Sequence, residues 1–343
     1  MTSHQHTARK APGELHDTDR RGALIVLTDV YKQHGSTTAL QGLSLTVPRG
    51  AIFALLGPNG CGKTTTLKLL LGMNRPDSGT GTVFGLRMED ERDSVAIRQR
   101  TGFVSETKEL FQGLDVATTI RLVRDMYPRW DASLERELLA RFVLPPRQKV
   151  AALSKGMRAK LALLVACCRR AELLILDEPT DGLDPAAAEQ MMETLVGMVA
   201  ETELTVLLSS HHLHEVERMA DGAAIMREGR VVLHGELDEL RQRVRRVEVR
   251  FSANDTSLAS SETPSVIRGS GVPAHSDMLS DVTALLPDAT DLLHTVQRGS
   301  AMTLLVRGEA EVVAQEFVAR GAQVSVHAVP LRELFLLLTE ARA

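Results

Sequence analysis

Aromatic residues are scarce in this chain, and its basic residues do not cluster. Phe, Trp and Tyr make up 3% of the 343 residues, and the formal net charge is -4 with no long block of Lys or Arg. Stacking on nucleobases requires aromatic side chains, and binding a phosphate backbone requires concentrated positive charge. We therefore expect no nucleic-acid partner and no large basic surface for binding anionic lipid.

Long hydrophobic runs and spaced cysteine pairs are also lacking. The longest uninterrupted apolar run is LALLVACC, Leu161 to Cys168, far short of the roughly 20 residues of a bilayer-spanning helix. The first residues do not resemble a secretion signal, so a cytoplasmic protein is expected. The three cysteines, Cys61, Cys167 and Cys168, suit neither a disulfide framework nor a CxxC metal site, and the adjacent pair is expected to pack within a helix.

Short apolar runs alternate with longer segments of helical periodicity. The runs ALIVLTDVY, AIFALLG, LLILDEP and LTVLLSS end in turn-forming residues and are predicted to be strands. TTTLKLLLGM and AAAEQMMETLVGMVAE lie among them and have helical spacing. This alternation predicts an α/β domain with a largely parallel sheet.

Composition also predicts the organisation of that domain. Residues 1–22 are expected to form a flexible tail, and residues 23–240 the α/β domain. A stretch rich in helix formers, with a break at Pro145 and Pro146, predicts a helical subdomain at about 107–168.

A second, smaller domain is predicted at the C-terminal side. Residues 241–275 are interpreted as a linker that includes its first strand, because the segment is rich in Ser, Thr, Pro and Gly. Residues 276–343 are predicted to be a small α+β domain. AMTLLVRG and AQVSVHAV are its expected strands, with a helix around Val312 to Ala319 between them and LRELFLLLTEA as a closing helix.

The segment GPNGCGKT matches the pattern GxxxxGK[ST] between a predicted strand and a predicted helix. Small residues let backbone N–H groups approach phosphate, and the helix N-terminus favours an anion. Lys63 is expected over the β- and γ-phosphates of ATP, and the Thr64 hydroxyl on Mg²⁺. A glycine-rich turn with a solvated lysine is the alternative. The predicted phosphate-binding residues are Gly57, Pro58, Asn59, Gly60, Cys61, Gly62, Lys63, Thr64 and Thr65.

Two acidic residues follow four apolar ones in LLILDEP. A buried strand would deliver them to the carboxyl edge of the sheet, where nucleotide sites form. Asp177 is expected to bind Mg²⁺ through water, and Glu178 to orient or deprotonate the attacking water. The alternative is a strand end followed by a solvated acidic turn.

Together these motifs resemble the ATP-binding subunit of an ABC transporter from roughly Leu24 to Leu240, with LSKGM standing where that family has LSGGQ. The resemblance implies a P-loop NTPase (RecA-like) core with a helical subdomain, and a head-to-tail dimer that holds two ATP molecules at its interface. Ser154 and Gly156 would then meet the γ-phosphate bound by the opposite subunit. Lys155 and Met157 depart from the family pattern. Alone, LSKGM also fits an N-capped helix start.

Two further segments acquire roles from the same resemblance. TDGLDP resembles the loop that couples the two sites across the dimer through Asp184, although a simple turn is the alternative. SSHHLHEVERMAD resembles the segment with the switch histidine, which aligns with His211 as the γ-phosphate contact. Solvated histidines are the alternative, and a zinc site is disfavoured because HEVER is not HExxH.

Two other assignments from the resemblance concern single residues. Tyr31 matches the aromatic residue that stacks on adenine, while a packed surface tyrosine is the alternative. Glu106 stands where the family has a glutamine. Glu106 would offer oxygen to Mg²⁺ or water and would add charge beside the phosphates; a solvated loop acid is the alternative.

The resemblance also implies partners and a function. A second ATP-binding subunit, most simply a copy of this chain, and a separate multi-spanning permease are expected, with the protein peripheral on the inner face of the membrane. LSKGM, MYPRWD and the appended C-terminal domain favour an exporter, including antibiotic or peptide efflux. The alternatives are a soluble ABC ATPase without transport and a regulatory subunit with weak hydrolysis. The C-terminal domain would regulate ATPase activity, aid dimerisation or cover its own sheet.

Overall fold

The computed structural model describes residues 22–250, 286–287, 290–298 and 301–339. The chain divides into two compact units, with the boundary between Leu237 and Asp238. The predicted tail, apart from Gly22, and residues 251–275 of the predicted linker lie outside the described residues. No helix in the described ranges is both long enough and apolar enough to cross a bilayer.

The larger unit contains two sheets. Their strands in chain order are β1 (Ala23–His34), β2 (Thr37–Pro48), β3 (Ile52–Leu56), β4 (Ser78–Val83), β5 (Leu86–Arg87), β6 (Thr101–Val104), β7 (Leu173–Asp177), β8 (Thr205–Ser210), β9 (Gly222–Arg227) and β10 (Arg230–Glu236). The first sheet has the order β10-β9-β3-β8-β7-β6, and the second has the order β2-β1-β4-β5.

The first sheet confirms the predicted parallel core. Strands β9, β3, β8, β7 and β6 run parallel, and β10 is antiparallel to β9. Every residue of β3, β7 and β8 is buried. A strand covered on both faces has apolar residues without alternation, which is why these three runs were recognisable.

The first predicted strand is not part of that parallel sheet. The run ALIVLTDVY forms β1, which pairs antiparallel with β2 and β4. Only Gly35 and Ser36 separate β1 from β2, and so short a connection can join antiparallel strands but not parallel ones. This run is a strand, as predicted, but it belongs to the antiparallel sheet and not to the largely parallel one.

Helices cover the parallel sheet, and three of them lie within residues 107–168, for which a helical subdomain was predicted. Those of the larger unit are α1 (Lys63–Leu70), α2 (Glu91–Arg100), α3 (Val116–Met126), α4 (Ala132–Arg141), α5 (Lys155–Cys167), α6 (Pro185–Glu201) and α7 (Leu213–Met219); α8 (Leu237–Arg243) begins at the boundary. Asp115, Asp131 and Ser154 cap α3, α4 and α5 with their side chains, which satisfies backbone N–H groups left free at a helix start. Cys167 and Cys168 are buried, as predicted.

The smaller unit is an antiparallel sheet with helices. Its strands are β11 (Val244–Arg250), β12 (Asp291–Arg298), β13 (Ala301–Arg307) and β14 (Gln323–Ala328), and its further helices are α9 (Ala310–Val318) and α10 (Leu331–Thr339). The strand order is β12-β13-β11-β14. Val313 and Phe317 of α9 belong to the same hydrophobic core cluster as Val247 and Leu304 of the sheet. Helix α10 buries Leu331, Leu334 and Leu338, so the apolar face predicted for this helix is covered.

Candidate functional site

The glycine-rich loop connects β3 to α1. Gly62 precedes the helix with φ 110°, a backbone conformation that favours glycine. A Cβ atom at this position would lie 2.7 Å from the carbonyl oxygen of Ala39. Local backbone geometry therefore requires glycine here, and it sets Lys63 at the first position of α1.

Lys63 is a buried cation inside this loop. Its side chain bends back, and Nζ donates to the carbonyl oxygen of Gly57 at 2.7 Å and to that of Pro58 at 3.4 Å. Nζ also lies 3.4 Å from Oε1 of Glu178, and both side chains are less than a tenth exposed. The loop and the end of β7 thus meet at one ammonium group.

The two acids at the end of β7 have different surroundings. Asp177 is 2% exposed, and its Oδ1 accepts a hydrogen bond of 2.6 Å from the Ser209 hydroxyl. Glu178 has φ 46°, and its backbone N–H donates to the same hydroxyl at 2.9 Å. Oε1 of Glu178 is buried and accepts no hydrogen bond from the described residues. The cation nearest to this oxygen is the ammonium group of Lys63, 3.4 Å away.

His211 follows β8 and completes this group. Its Nδ1 lies 2.9 Å from Oε2 of Glu178, and its side chain is 41% exposed. Potential ligand atoms of His211, His212 and Asp181 lie within 4.8 Å of one another. Asp181 is also paired with Lys155, whose Nζ lies 3.1 Å from Oδ2, and this hydrogen bond lowers the pKa of Asp181.

Lys63, Glu178 and His211 line a cavity of about 700 Å³. The residues that line it and were predicted from sequence are Asn59, Gly60, Gly62, Lys63, Thr64, Thr65, Glu106, Glu178 and His211. Sequence reasoning did not select the other lining residues, which are His34, Thr37, Ala39 and Asp181. Asp181 lies in the segment TDGLDP, which the sequence analysis did identify, but the functional role was assigned there to Asp184.

Several other predicted residues do not line the cavity. Gly57, Pro58 and Cys61 are not among the residues that line it, and Cys61 is 4% exposed. Burial raises the pKa of the Cys61 thiol, which keeps the thiol protonated. Tyr31 lies on β1, where its hydroxyl would be 2.9 Å from a Cβ atom built on Gly42. Tyr31 is not among the residues that line the cavity, whereas His34 and Thr37 at the turn between β1 and β2 are.

The acids and hydroxyls available here fit a magnesium ion. Thr64 and Glu106 present oxygen donors to the cavity, and Asp177 lies at the end of β7 beside it. Oxygen ligands are those that Mg²⁺ prefers, and it commonly keeps several waters. Because Oδ1 of Asp177 already accepts a hydrogen bond from Ser209, its buried carboxylate is compatible with a contact to Mg²⁺ through water, which stays a prediction.

Ser154, Gly156 and Asp184 lie outside this cavity. Ser154 and Asp184 each accept a backbone hydrogen bond as N-caps, Ser154 from Met157 at 3.1 Å and Asp184 from Ala187 at 2.9 Å. A Cβ atom built on Gly156 would lie 3.8 Å from Oδ2 of Asp184, so these two helix starts are neighbours. The chain thus presents two separate surfaces predicted to contact ATP.

Comparison with known proteins gives consistent matches. Residues 40–181 match the family model described as ABC transporter. The chain is similar to the daunorubicin/doxorubicin resistance ATP-binding protein DrrA of Streptomyces peucetius, at 33% identity over 76% of this chain and 79% of that protein. It is also similar to the Nod factor export ATP-binding protein I of Burkholderia orbicola, at 37% identity over 62% of this chain and 71% of that protein.

A solved structure supports the same match. The ATP-binding subunit of an ABC transporter superposes with a TM-score of 0.58 at 32% identity, covering 64% of this chain and 92% of that chain.

Proposed function

The chain belongs to the ATP-binding proteins of ABC transporters, ATPases that power transport, and on this premise we propose that it hydrolyses ATP in the cavity bounded by Lys63, Glu178 and His211. The observation that supports this most directly is the meeting of all three side chains at the end of the glycine-rich loop. A cation, a buried carboxylate and an imidazole at one point match what phosphoryl transfer to water requires.

In this proposal the loop binds the phosphates of MgATP. Lys63 neutralises the β- and γ-phosphates, and the N-terminus of α1 adds favourable partial charge. Thr64 and Glu106, with Asp177 through water, would hold Mg²⁺, which neutralises charge on the phosphate oxygens when bound. The Lys63 ammonium would then be shared between phosphate and Glu178, which lies 3.4 Å away.

Glu178 is the proposed general base. Its Oε1 accepts no hydrogen bond from the described residues and lies 3.4 Å from Nζ of Lys63, and we propose that this oxygen accepts the proton of the attacking water once Lys63 also contacts phosphate. Its other oxygen, Oε2, is held at 2.9 Å by Nδ1 of His211. We propose that Nδ1 of His211 holds Oε2 of Glu178 while the other ring nitrogen faces the γ-phosphate.

A second ATP-binding subunit would complete each site. Ser154, Gly156 and Asp184 lie outside the cavity, and the sterics of Gly156 support a contact with another molecule. A Cβ atom there would meet its nearest neighbour, in Ala187, at an ordinary 3.5 Å, so internal packing does not require glycine. Glycine in a helix costs up to about 1 kcal/mol relative to alanine, and close approach of a phosphate explains its presence.

We also propose that the chain powers export through a separate multi-spanning permease and is peripheral on the membrane. The names of the matched relatives, one for Nod factor export and one for drug resistance, support this direction. The test is co-purification with a multi-spanning membrane protein, followed by ATPase measurement with and without candidate cargo. Stable association and cargo-stimulated turnover are expected. Turnover that never depends on a membrane partner would contradict the transport role.

A further inference from the structure

Lys108 is a buried lysine that the proposed reaction does not use. It lies between β6 and α3, and it is 5% exposed. Its Nζ donates to the backbone carbonyl oxygen of Glu178 at 3.0 Å and to that of Glu106 at 3.1 Å. One ammonium thus joins the loop after β6 to the proposed general base.

Lys108 has polar and charged neighbours besides the two carbonyl oxygens. The carboxylates of Asp181, Glu106 and Glu178 and the ammonium of Lys155 all interact electrostatically with its side chain. An ammonium without partners would be expensive to bury. Two carbonyl oxygens and three nearby carboxylates offset that cost, so the position is a specific one and not a chance burial.

The backbone of Glu178 is the element that Lys108 contacts. Glu178 has φ 46°, in the left-handed region that non-glycine residues seldom adopt. Such conformations persist when the surrounding contacts over-determine them. The Glu178 carbonyl accepts the backbone N–H of Asp181 at 3.2 Å as well as Nζ of Lys108, and its N–H is held by Ser209.

The direction of the Glu178 side chain follows from this backbone. A rotation at Cα would move the carboxylate away from Lys63 and His211, and a misplacement of about 1 Å in a reacting group can cost about 100-fold in rate. We propose that Lys108 is a positioning residue for ATP hydrolysis, which fixes the carboxylate of Glu178 by anchoring its carbonyl oxygen. This inference rests on the proposed role of Glu178 as general base.

A double-mutant cycle between Lys108 and Glu178 tests this inference. Lys108→Met keeps the length of the side chain and removes its donors, so kcat should fall about tenfold or more while ATP affinity changes less than about threefold. Because Lys108 acts through Glu178, the Lys108→Met/Glu178→Gln double variant should turn over as slowly as Glu178→Gln alone, within about twofold. Single-turnover rates and binding of a fluorescent ATP analogue provide the measurements.

The controls separate positioning from a general loss of structure. Lys149→Met alters an exposed lysine of the helical subdomain and should leave kcat unchanged. Thermal unfolding shows whether each variant folds; if Lys108→Met does not, Lys108→Gln goes through the same cycle with the same expected pattern.

Two results would overturn the inference. One is a folded Lys108 variant with kcat within about twofold of the unsubstituted protein. The other is a Lys108 substitution that lowers kcat by the same factor in Glu178→Gln as in the unsubstituted protein. Unimpaired turnover by Glu178→Gln would instead contradict the proposed base, which distinguishes the two failures.

Discussion

Nδ1 of His211 lies 2.9 Å from Oε2 of Glu178, although the two residues belong to the ends of different strands, β8 and β7. Parallel strands place their carboxyl ends at one edge of a sheet, so this contact follows from the topology. The same edge receives Lys63 from the start of α1. The account of ATP hydrolysis depends on this meeting of three side chains.

Lys63→Ala should weaken nucleotide binding. The variant loses a buried cation that would contact phosphate, and a hydrogen bond to a charged group contributes about 1.5–3 kcal/mol, so the Kd for ATP should rise about tenfold or more. Lys68→Ala is a matched control, because Lys68 lies on the same helix and is exposed. Titration with a fluorescent ATP analogue measures both variants, and an unchanged Kd for Lys63→Ala would count against the assignment.

Gly156→Ala should weaken ATP-driven dimerisation without lowering the stability of the fold. Its Cβ has ordinary space within the chain, so the free energy of unfolding should stay equal or rise by up to about 1 kcal/mol. ATP-driven dimerisation should weaken, because the methyl group obstructs the proposed phosphate contact. Chemical denaturation and light scattering with ATP provide the two readouts.

Gly197→Ala is the matched control for that experiment. Gly197 lies within α6, and a Cβ atom there would meet nothing within 4 Å. It should give a similar gain in stability with no change in dimerisation. Equal dimerisation by both glycine variants would argue that Gly156 does not meet a partner's nucleotide.

The cysteines should react slowly with alkylating reagents. Burial raises the pKa of Cys61, and it raises the pKa of Cys167 to about 12. Thiolate is the reactive form, and a raised pKa leaves less of it at neutral pH than in an ordinary thiol. Iodoacetamide labelling at pH 7, counted by mass spectrometry, should be slow in the folded protein and fast in guanidinium. Rapid labelling of the folded chain would contradict these positions.

The ion pair between Arg100 and Glu172 should stabilise the fold modestly and only above acidic pH. Two hydrogen bonds of 2.8 and 2.6 Å from Arg100 lower the pKa of Glu172. A lowered carboxyl pKa gives stability that is present above the unfolded pKa and lost as pH falls through the folded one. The pair is partly exposed, so Glu172→Gln should cost about 0.5 kcal/mol at pH 7 and less near pH 3.

Urea unfolding at the two pH values measures this difference. Glu203→Gln, at an exposed position, serves as the control and should show no such pH dependence. A constant difference between Glu172→Gln and the unsubstituted protein across both pH values would exclude the ion pair as its cause.

The parts of the site that could be predicted are local in sequence. The loop that ends at Lys63 and the acids Asp177 and Glu178 each follow a fully buried strand, whose uninterrupted apolar residues are visible in the sequence. The loop and the two acids lie close together because β3, β8 and β7 are parallel and end at the same edge of the sheet. The family match confirms the resemblance on which the fold class and the ATPase activity were expected.

The parts that could not be predicted depend on register and on distant contacts. His34 and Thr37 reach the cavity because β1 and β2 form a hairpin. The register of this hairpin shifts beside Tyr31, so the two-residue alternation of a regular strand does not give the direction of side chains there. Lys108 contacts the carbonyl of a residue 70 positions away. No periodicity or motif in a single sequence records such a contact.

The rate of ATP hydrolysis by Glu178→Gln, measured beside its affinity for ATP, tests the central claim most directly. The substitution keeps the shape of the side chain but removes its charge and its capacity to accept a proton. Hydrolysis should fall about 100-fold or more, while ATP still binds and an ATP-bound dimer accumulates. Turnover close to that of the unsubstituted protein would contradict the account.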